Sequence, residues 1–253
     1  MTNRYFPDLK SKIARNGSIA GLWMMTVNPA FAELASLSEL DFLIVDLEHG
    51  AITLADLPGI LRAFSGDTAA IVRVPSSDPT MIARVMDRGA HGVMIPRVES
   101  VEEAQQASAA AKYPPRGSRG IAFPALRASS YGMNSDYRAS ADNSGIVIIQ
   151  IESQVALNSL SKIAELDCVD AVFLGPADLS ADINLEGSDD FDEVIEGFLT
   201  KCKDLPCLSG TVGFGGFNYD RLVNLGCQIM VIGSDVSIMR AGVSSFKKQV
   251  GIK

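Results

Sequence analysis

The chain has 253 residues, a length that suits one α/β barrel, and its 47% apolar content allows a large core. A formal net charge of −8 argues against nucleic acid as the main partner, because a phosphate backbone calls for a basic face. No apolar run reaches the roughly 18–20 residues that span a bilayer, and Met1 to Asn16 carries no signal-peptide core. A cytoplasmic protein without membrane contact is expected. Cys168, Cys202, Cys207 and Cys227 form no C-x-x-C pair and have no neighbouring histidine, so they read as reduced, buried thiols rather than zinc or disulfide partners.

Short apolar runs alternate with segments of helical period, which predicts βαβ units and a parallel sheet. The runs are Ser18 to Met24, Asp41 to Asp46, Ala70 to Val74, Gly92 to Pro96, Gly145 to Ile151, Ala171 to Leu174, Cys207 to Val212 and Gln228 to Ile232. They are continuous rather than alternating, as strands buried on both faces should be. Between them, Asp78 reads as an N-cap with Pro79 at the first helical position. Ser100 and Glu103 read as a capping box opening a helix that Pro114 and Pro115 close. Eight such units predict a single-domain (β/α)8 barrel. A doubly wound open sheet would carry a glycine-rich turn after its first strand, and Trp23-Met24-Met25-Thr26 is not one. Arg116 to Ser144 breaks the rhythm, and long connections of this kind are usually functional or mobile.

Barrel active sites lie at the C-terminal ends of the strands. The polar residues expected there are Trp23; Asp46, Glu48 and His49; Arg73; Gln150 and Glu152; Asp178 within Gly175-Pro176-Ala177-Asp178; and Asp235. No lysine is placed there to form a Schiff base, and no serine sits in a G-x-S-x-G elbow. Carboxylates with one histidine and one arginine suit metal-assisted acid/base chemistry, with a hard oxygen site for Mg²⁺ or Mn²⁺. Each residue also has a plainer role open to it. His49 could be structural, Glu152 and Asp178 could cap the helices that follow them, and Arg73 could be a salt-bridge partner. Gly213 to Gly216 could cradle a phosphate or be an ordinary turn. His91 opens the fourth strand at the opposite end and reads as structural.

Seven segments occur in order: Gly21-Leu22-Trp23, Asp46-Leu47-Glu48-His49-Gly50, Val72-Arg73-Val74-Pro75, Tyr113-Pro114-Pro115-Arg116-Gly117-Ser118-Arg119-Gly120, Gln150-Ile151-Glu152-Ser153, Gly175-Pro176-Ala177-Asp178-Leu179-Ser180 and Gly233-Ser234-Asp235. Together they resemble the class II pyruvate aldolases, the group of 4-hydroxy-2-oxoheptanedioate aldolase and 2-dehydro-3-deoxyglucarate aldolase. The resemblance implies cleavage of the C3–C4 bond of 4-hydroxy-2-oxo acids, giving pyruvate and an aldehyde through a metal-bound enolate. It implies Glu152 and Asp178 as ligands of a divalent metal (Mg²⁺ or Mn²⁺, with Co²⁺ also open). It further implies Arg73 stabilising the enolate, His49 as base or acid, and Asp87 orienting His49. Gln150 and the backbone of Gly175, Pro176 and Ala177 would hold the substrate, and Trp23 would line the pocket. Phe123, Pro124 and Arg127 to Met133 fit no pattern and could reshape the aldehyde pocket.

The resemblance also implies a homo-oligomer. The helix over Ser237 to Val250 places Ile238, Met239, Val243 and Phe246 near helical spacing, suited either to a neighbouring subunit or to its own barrel. Two other activities compete. A related lyase or decarboxylase could act on acyl-CoA or oxaloacetate-type substrates, although the sparse basic residues disfavour a CoA phosphate site. A barrel that merely binds a 2-oxo acid would not need His49, Arg73 and Asp87 together.

Overall fold

The computed structural model describes residues 7–183, 188–213 and 219–252. Eight parallel strands close into one barrel in sequential order. They are β1 (Ile19–Met24), β2 (Phe42–Asp46), β3 (Ala69–Arg73), β4 (Gly92–Ile95), β5 (Ile146–Ile151), β6 (Ala171–Leu174), β7 (Leu208–Val212) and β8 (Ile229–Ser234). Helices α1 (Leu9–Asn16), α2 (Pro29–Leu37), α3 (Leu57–Ala63), α4 (Pro79–Asp87), α5 (Val101–Ala109) and α6 (Tyr137–Ser144) belong to the first half. The second half carries α7 (Gln154–Asn158), α8 (Leu160–Ala164), α9 (Pro176–Asp182), α10 (Ser188–Cys202), α11 (Tyr219–Asn224) and α12 (Asp235–Gln249). The expected barrel is therefore the fold, with strand ends shifted by one or two residues. Among the described residues no helix is long and apolar enough to cross a membrane.

The side chains sort by alternation along each strand. Phe42 and Ile44 of β2, Ile71 of β3, Ile148 of β5 and Phe173 of β6 fill the barrel interior, with Leu9 and Ile13 of α1 closing its base. Leu43, Val45, Val72, Ile149 and Val172 face outward and pack with the surrounding helices. The interior is tapered to fit its aromatics: a Cβ on Gly21 would fall 2.5 Å from the ring of Phe42. Carried to the strand ends, the same inward phase delivers Trp23, Asp46, Arg73 and Gln150 to the mouth.

The helix termini follow local chemistry. Asp78 caps α4 by accepting from the Thr80 N–H at 3.0 Å, with Pro79 beginning the helix. Ser100 caps α5 by accepting from Glu103 N–H at 3.1 Å, but the box is only half formed. The Glu103 carboxylate accepts instead from Glu99 N–H and from the Ser77 hydroxyl, and α5 ends at Ala109, ahead of the two prolines. Ser153 caps α7, so Glu152 has no capping role there.

The base of the barrel repeats one arrangement four times. The residue just before each even-numbered strand caps the second residue of the strand before it. The Ala20 N–H donates to Asp41, Ala70 to His91 Nδ1, Val147 to Asp170 and Ser209 to Gln228, at 2.8, 2.8, 2.8 and 3.1 Å. The backbone N–H of each capping residue donates back to the carbonyl of the residue it caps. Its own carbonyl then accepts from the first residue of a further odd-numbered strand: Ala69, Ile146, Leu208 or Ile19. His91 is thus structural, as its position at the opposite end implied.

Asp170 does more than its three counterparts. It also pairs with Lys10 and, at 2.9 Å, with Lys112, whose side chain is only 2% exposed. Burial pulls the Lys112 ammonium below the ordinary lysine value, with Asp170 opposing that shift. Asp170→Ala would remove the carboxylate that faces a buried cation and is expected to cost about 3 kcal/mol or more. Asp41→Ala, which frees the Ala20 N–H and the partly buried Lys12, should cost less, about 1–2 kcal/mol. Denaturant unfolding of the two variants checks this ranking, and equal small losses would contradict it.

Candidate active site

The centre of the mouth is a pair of neighbouring strand ends. Asp46 and Arg73 are register partners on β2 and β3. Their side chains meet in a two-point contact, Nε to Oδ1 at 2.8 Å and Nη2 to Oδ2 at 2.7 Å. The third guanidinium nitrogen, Nη1, lies 3.2 Å from Glu48 Oε2. Trp23 supplies a face for the cation, with Arg73 Cζ 4.2 Å from its ring centroid. Both members of the Asp46–Arg73 pair are buried, so a charge that would be mobile in solution is fixed in plane and position.

His49 follows on the β2 loop. Its ring is 52% exposed, and Nε2 lies 3.7 Å from Glu48 Oε2. Gly50 turns the loop where a Cβ would collide with the Asp46 carbonyl at 2.3 Å. Asp235, buried at the end of β8, accepts from the N–H groups of Met25 and Thr26 and from the Thr26 hydroxyl. It thereby holds the β1 loop across the barrel seam.

Gln150 and Glu152 come from the end of β5. Gln150 Nε2 donates to Glu152 Oε1 at 2.7 Å, and the Arg97 backbone N–H donates to Oε2 at 3.1 Å. Gln150 Oε1 is buried without a hydrogen-bond partner among the described residues. Burial pushes the Glu152 carboxyl up to about 7, and the nearby charges of Asp178 and Glu48 add to the rise. The Arg97 N–H and the Arg73 charge oppose it. Asp178 is exposed on the first turn of α9, beside exposed Ala177 and buried Gly175 and Pro176. Gly175 is bare for a reason: a Cβ there would lie 2.7 Å from Glu152 Cγ.

One expected site residue is elsewhere. Asp87 ends α4, a helix that runs from the mouth back to the base, and Arg119 donates to its carboxylate from Nε and Nη2 at 3.0 and 2.7 Å. Within the chain Asp87 therefore does not stand behind His49; Glu48 holds that position. Helix direction decides which end of its own barrel a residue reaches, and the residue pattern alone carries no such distance. Arg119 is itself buried against the Tyr113 ring, 4.6 Å away.

The stretch expected to reshape the mouth also lies elsewhere. Arg127 donates to the carbonyls of Leu61 and Arg88, at the ends of α3 and α4. A cavity of about 360 Å³ opens at that base end among Leu61, Phe64, His91 and Arg127. Among the described residues no carboxylate lines it. Gly213 is described, but Phe214, Gly215 and Gly216 lie outside the described residues, and the phosphate-cradle reading lies there with them.

Three residues have roles that strand-end position alone does not reveal. Asp46 and Glu48 were visible as strand-end acids, but not as the clamp on Arg73. Arg97 directly follows the fourth apolar run, and that position was its only signal.

A closed parallel barrel whose mouth sets carboxylates around one immobilised arginine defines a barrel enzyme rather than a scaffold. The sequence model of the HpcH/HpaI aldolase/citrate lyase family matches residues 20–240, and the chain belongs to that family. A hydroxypyruvate/pyruvate aldolase of Agrobacterium fabrum is 35% identical over 221 residues, covering 86% of this chain and 83% of the relative. A 5-keto-4-deoxy-D-glucarate aldolase of Klebsiella pneumoniae is 32% identical, covering 98% of this chain and all of the relative. A crystal structure of a family member from Burkholderia cenocepacia superposes with a TM-score of 0.87 at 27% identity, over 96% of this chain and 99% of that one. The chain is accordingly a carbon–carbon lyase of the aldolase type.

Gly175→Ala tests the mouth directly. Its backbone φ of −95° suits alanine, so the fold should persist with a stability change within about 1 kcal/mol. Glu152 would be displaced, and lyase turnover should fall about tenfold or more. Turnover at the parent level in a folded variant would show that the position of Glu152 does not matter.

Proposed function

We propose that the protein is a divalent-metal-dependent aldolase that cleaves 4-hydroxy-2-oxo acids to pyruvate and an aldehyde, and runs the reverse addition. The observation that carries this reading is the Glu152 carboxyl. It is half-buried, pushed up to about 7 by that burial, and crowded by Asp178 and Glu48 beside a clamped guanidinium. Such crowding is what a dication relieves. The donor set fits one: Glu152 and Asp178 offer hard oxygens, and Gln150 Oε1 is a buried acceptor without a partner among the described residues. Among the described residues no group of three histidine, cysteine or carboxylate side chains is arranged to hold a metal. The chain would thus give two ligands and leave open positions for substrate and water. When bound, Mg²⁺, Mn²⁺ or Co²⁺ would act as a Lewis acid toward the 2-oxo group.

The chain's own residues divide the remaining work. Arg73, held by Asp46 and Glu48, presents a fixed positive charge where negative charge develops on the former carbonyl oxygen. His49 takes the proton of the 4-hydroxyl as the C3–C4 bond breaks, since an imidazole is suited to proton transfer near neutral pH. Glu48, the carboxylate beside it, orients the ring. The Ala177 and Asp178 amides lie in the first turn of α9, where N–H groups have no helical partner and can receive a substrate carboxylate. Gln150 fixes Glu152, and Trp23 walls the pocket beneath Arg73.

A coupled assay of pyruvate release from 4-hydroxy-2-oxo acids tests the reading. Metal-stripped enzyme should be silent and regain turnover with Mg²⁺ or Mn²⁺. Glu152→Ala should lose at least about a hundredfold. Undiminished turnover after rigorous chelation would refute the metal.

We further propose that the protein is a homo-oligomer in which α12 packs on a second copy. Asp235 is the buried residue of this helix, while Ile238, Met239, Val243 and Phe246 are exposed along it. A run of exposed apolar side chains of this kind marks an interface. Light scattering should give a multiple of the 26.9 kDa chain mass, and Val243→Asp with Phe246→Asp should reduce it to one chain. A monomeric parent protein would refute the proposal.

A further inference from the structure

A 4-hydroxy-2-oxo acid presents its C1 carboxylate and 2-oxo group to one part of the mouth. Whatever lies beyond C4 leaves as the aldehyde, and the residues that meet that portion decide which acceptor is used. The connections from each strand end to the next helix are poor in basic residues. Taken with the strand ends themselves, they carry Arg73 and Arg97 and no other arginine or lysine. Arg73 is buried and committed through all three guanidinium nitrogens to Asp46 and Glu48.

Arg97 is built differently. Its side chain is 70% exposed, and Nε donates to Glu48 Oε1 at 3.1 Å. Among the described residues no other carboxylate pairs with it, so the edge of the fork formed by Nη1 and Nη2 is open to a ligand. Its backbone has a φ of 56°, the left-handed region that glycine occupies at lower cost. The N–H in that conformation donates to Glu152 Oε2. Arg97 is therefore tied through its backbone to one mouth carboxylate and through Nε to another. A long, flexible side chain is held at the rim with its recognition edge facing solvent.

We propose that Arg97 is the specificity-determining residue for the acceptor, selecting an aldehyde that carries a terminal carboxylate. The planar guanidinium edge matches a planar carboxylate in a two-point contact. This rests on the aldolase reading above. The preferred cleavage substrate is then a 4-hydroxy-2-oxo diacid, whose far carboxylate stays on the aldehyde product unchanged.

The test compares two 4-hydroxy-2-oxo acids of equal chain length, one ending in a carboxylate and one in a hydroxymethyl group. Pyruvate release is followed with Mg²⁺ present. The parent enzyme should favour the diacid in kcat/KM, and Arg97→Gln should lower that acid-over-neutral ratio about tenfold or more, chiefly through KM. Arg97→Lys, which keeps the charge without the fork, should fall between. Arg97→Gly suits the left-handed backbone, keeps the amide to Glu152 and guards against misfolding, and it should repeat the loss of preference. An unchanged ratio, or equal losses on both substrates, would overturn the assignment while leaving the aldolase reading intact. Parent enzyme that releases pyruvate from neither substrate would overturn the aldolase reading, and this assignment with it.

Discussion

Arg73 and Asp46 sit side by side because β2 and β3 are paired in a register that brings their last inward-facing residues level. Two buried charges at that level can exist only together. Removing Arg73 would leave buried Asp46 without its cation, at a cost of about 3–5 kcal/mol, and removing Asp46 would leave Arg73 with Glu48 alone. Their contact fixes the guanidinium plane, and the plane fixes what surrounds it. Trp23 covers one face, Glu48 lies against the remaining nitrogen, Arg97 donates to Glu48, and His49 lies 3.7 Å from it. The mouth is thus organised outward from one ion pair that the barrel's own hydrogen bonding holds in register.

Around that pair, electrostatics and sterics act in the same direction. Glu152 is pressed between Gln150, the Arg97 amide and the bare face of Gly175. Burial raises its pKa first, and the nearby charges of Asp178 and Glu48 add to the rise. A site that holds its carboxylates together against repulsion is prepared for a cation before one arrives.

The barrel was legible because its strands are buried on both faces and read as unbroken apolar runs. The same property hid the phase of each strand. Phe42, Leu43, Ile44 and Val45 are all apolar and all buried, so nothing in their order tells which pair points inward. The phase emerges only where a polar residue ends the run, as Asp46 and Arg73 do. Strand ends therefore gave most of the mouth, including Trp23, His49, Gln150 and Glu152. Arg97 escaped because its role depends on a left-handed backbone and a contact to Glu48 that no spacing encodes. The place of Asp87 in its own barrel was hidden for the complementary reason. It lies on a helix, and the helix carries it to the base and to Arg119. Glu103 formed half of its capping box because Ser77 and the Glu99 amide compete for the same carboxylate.

The fourfold stitching at the base has no counterpart in sequence period, since Asp41, His91, Asp170 and Gln228 are unevenly spaced and chemically unlike. Each joins three strands through a side chain, an N–H and a carbonyl. No strand at that end can separate without breaking ties to both neighbours. Amide protons at Ala20, Ala70, Val147 and Ser209 should consequently exchange with solvent only through global opening, while those of the mouth loops exchange through local fluctuation. The molecule is in this sense anchored at one end and adjustable at the other. Its reaction can be retuned by substitutions around the rim without drawing on the cooperativity that keeps the barrel closed.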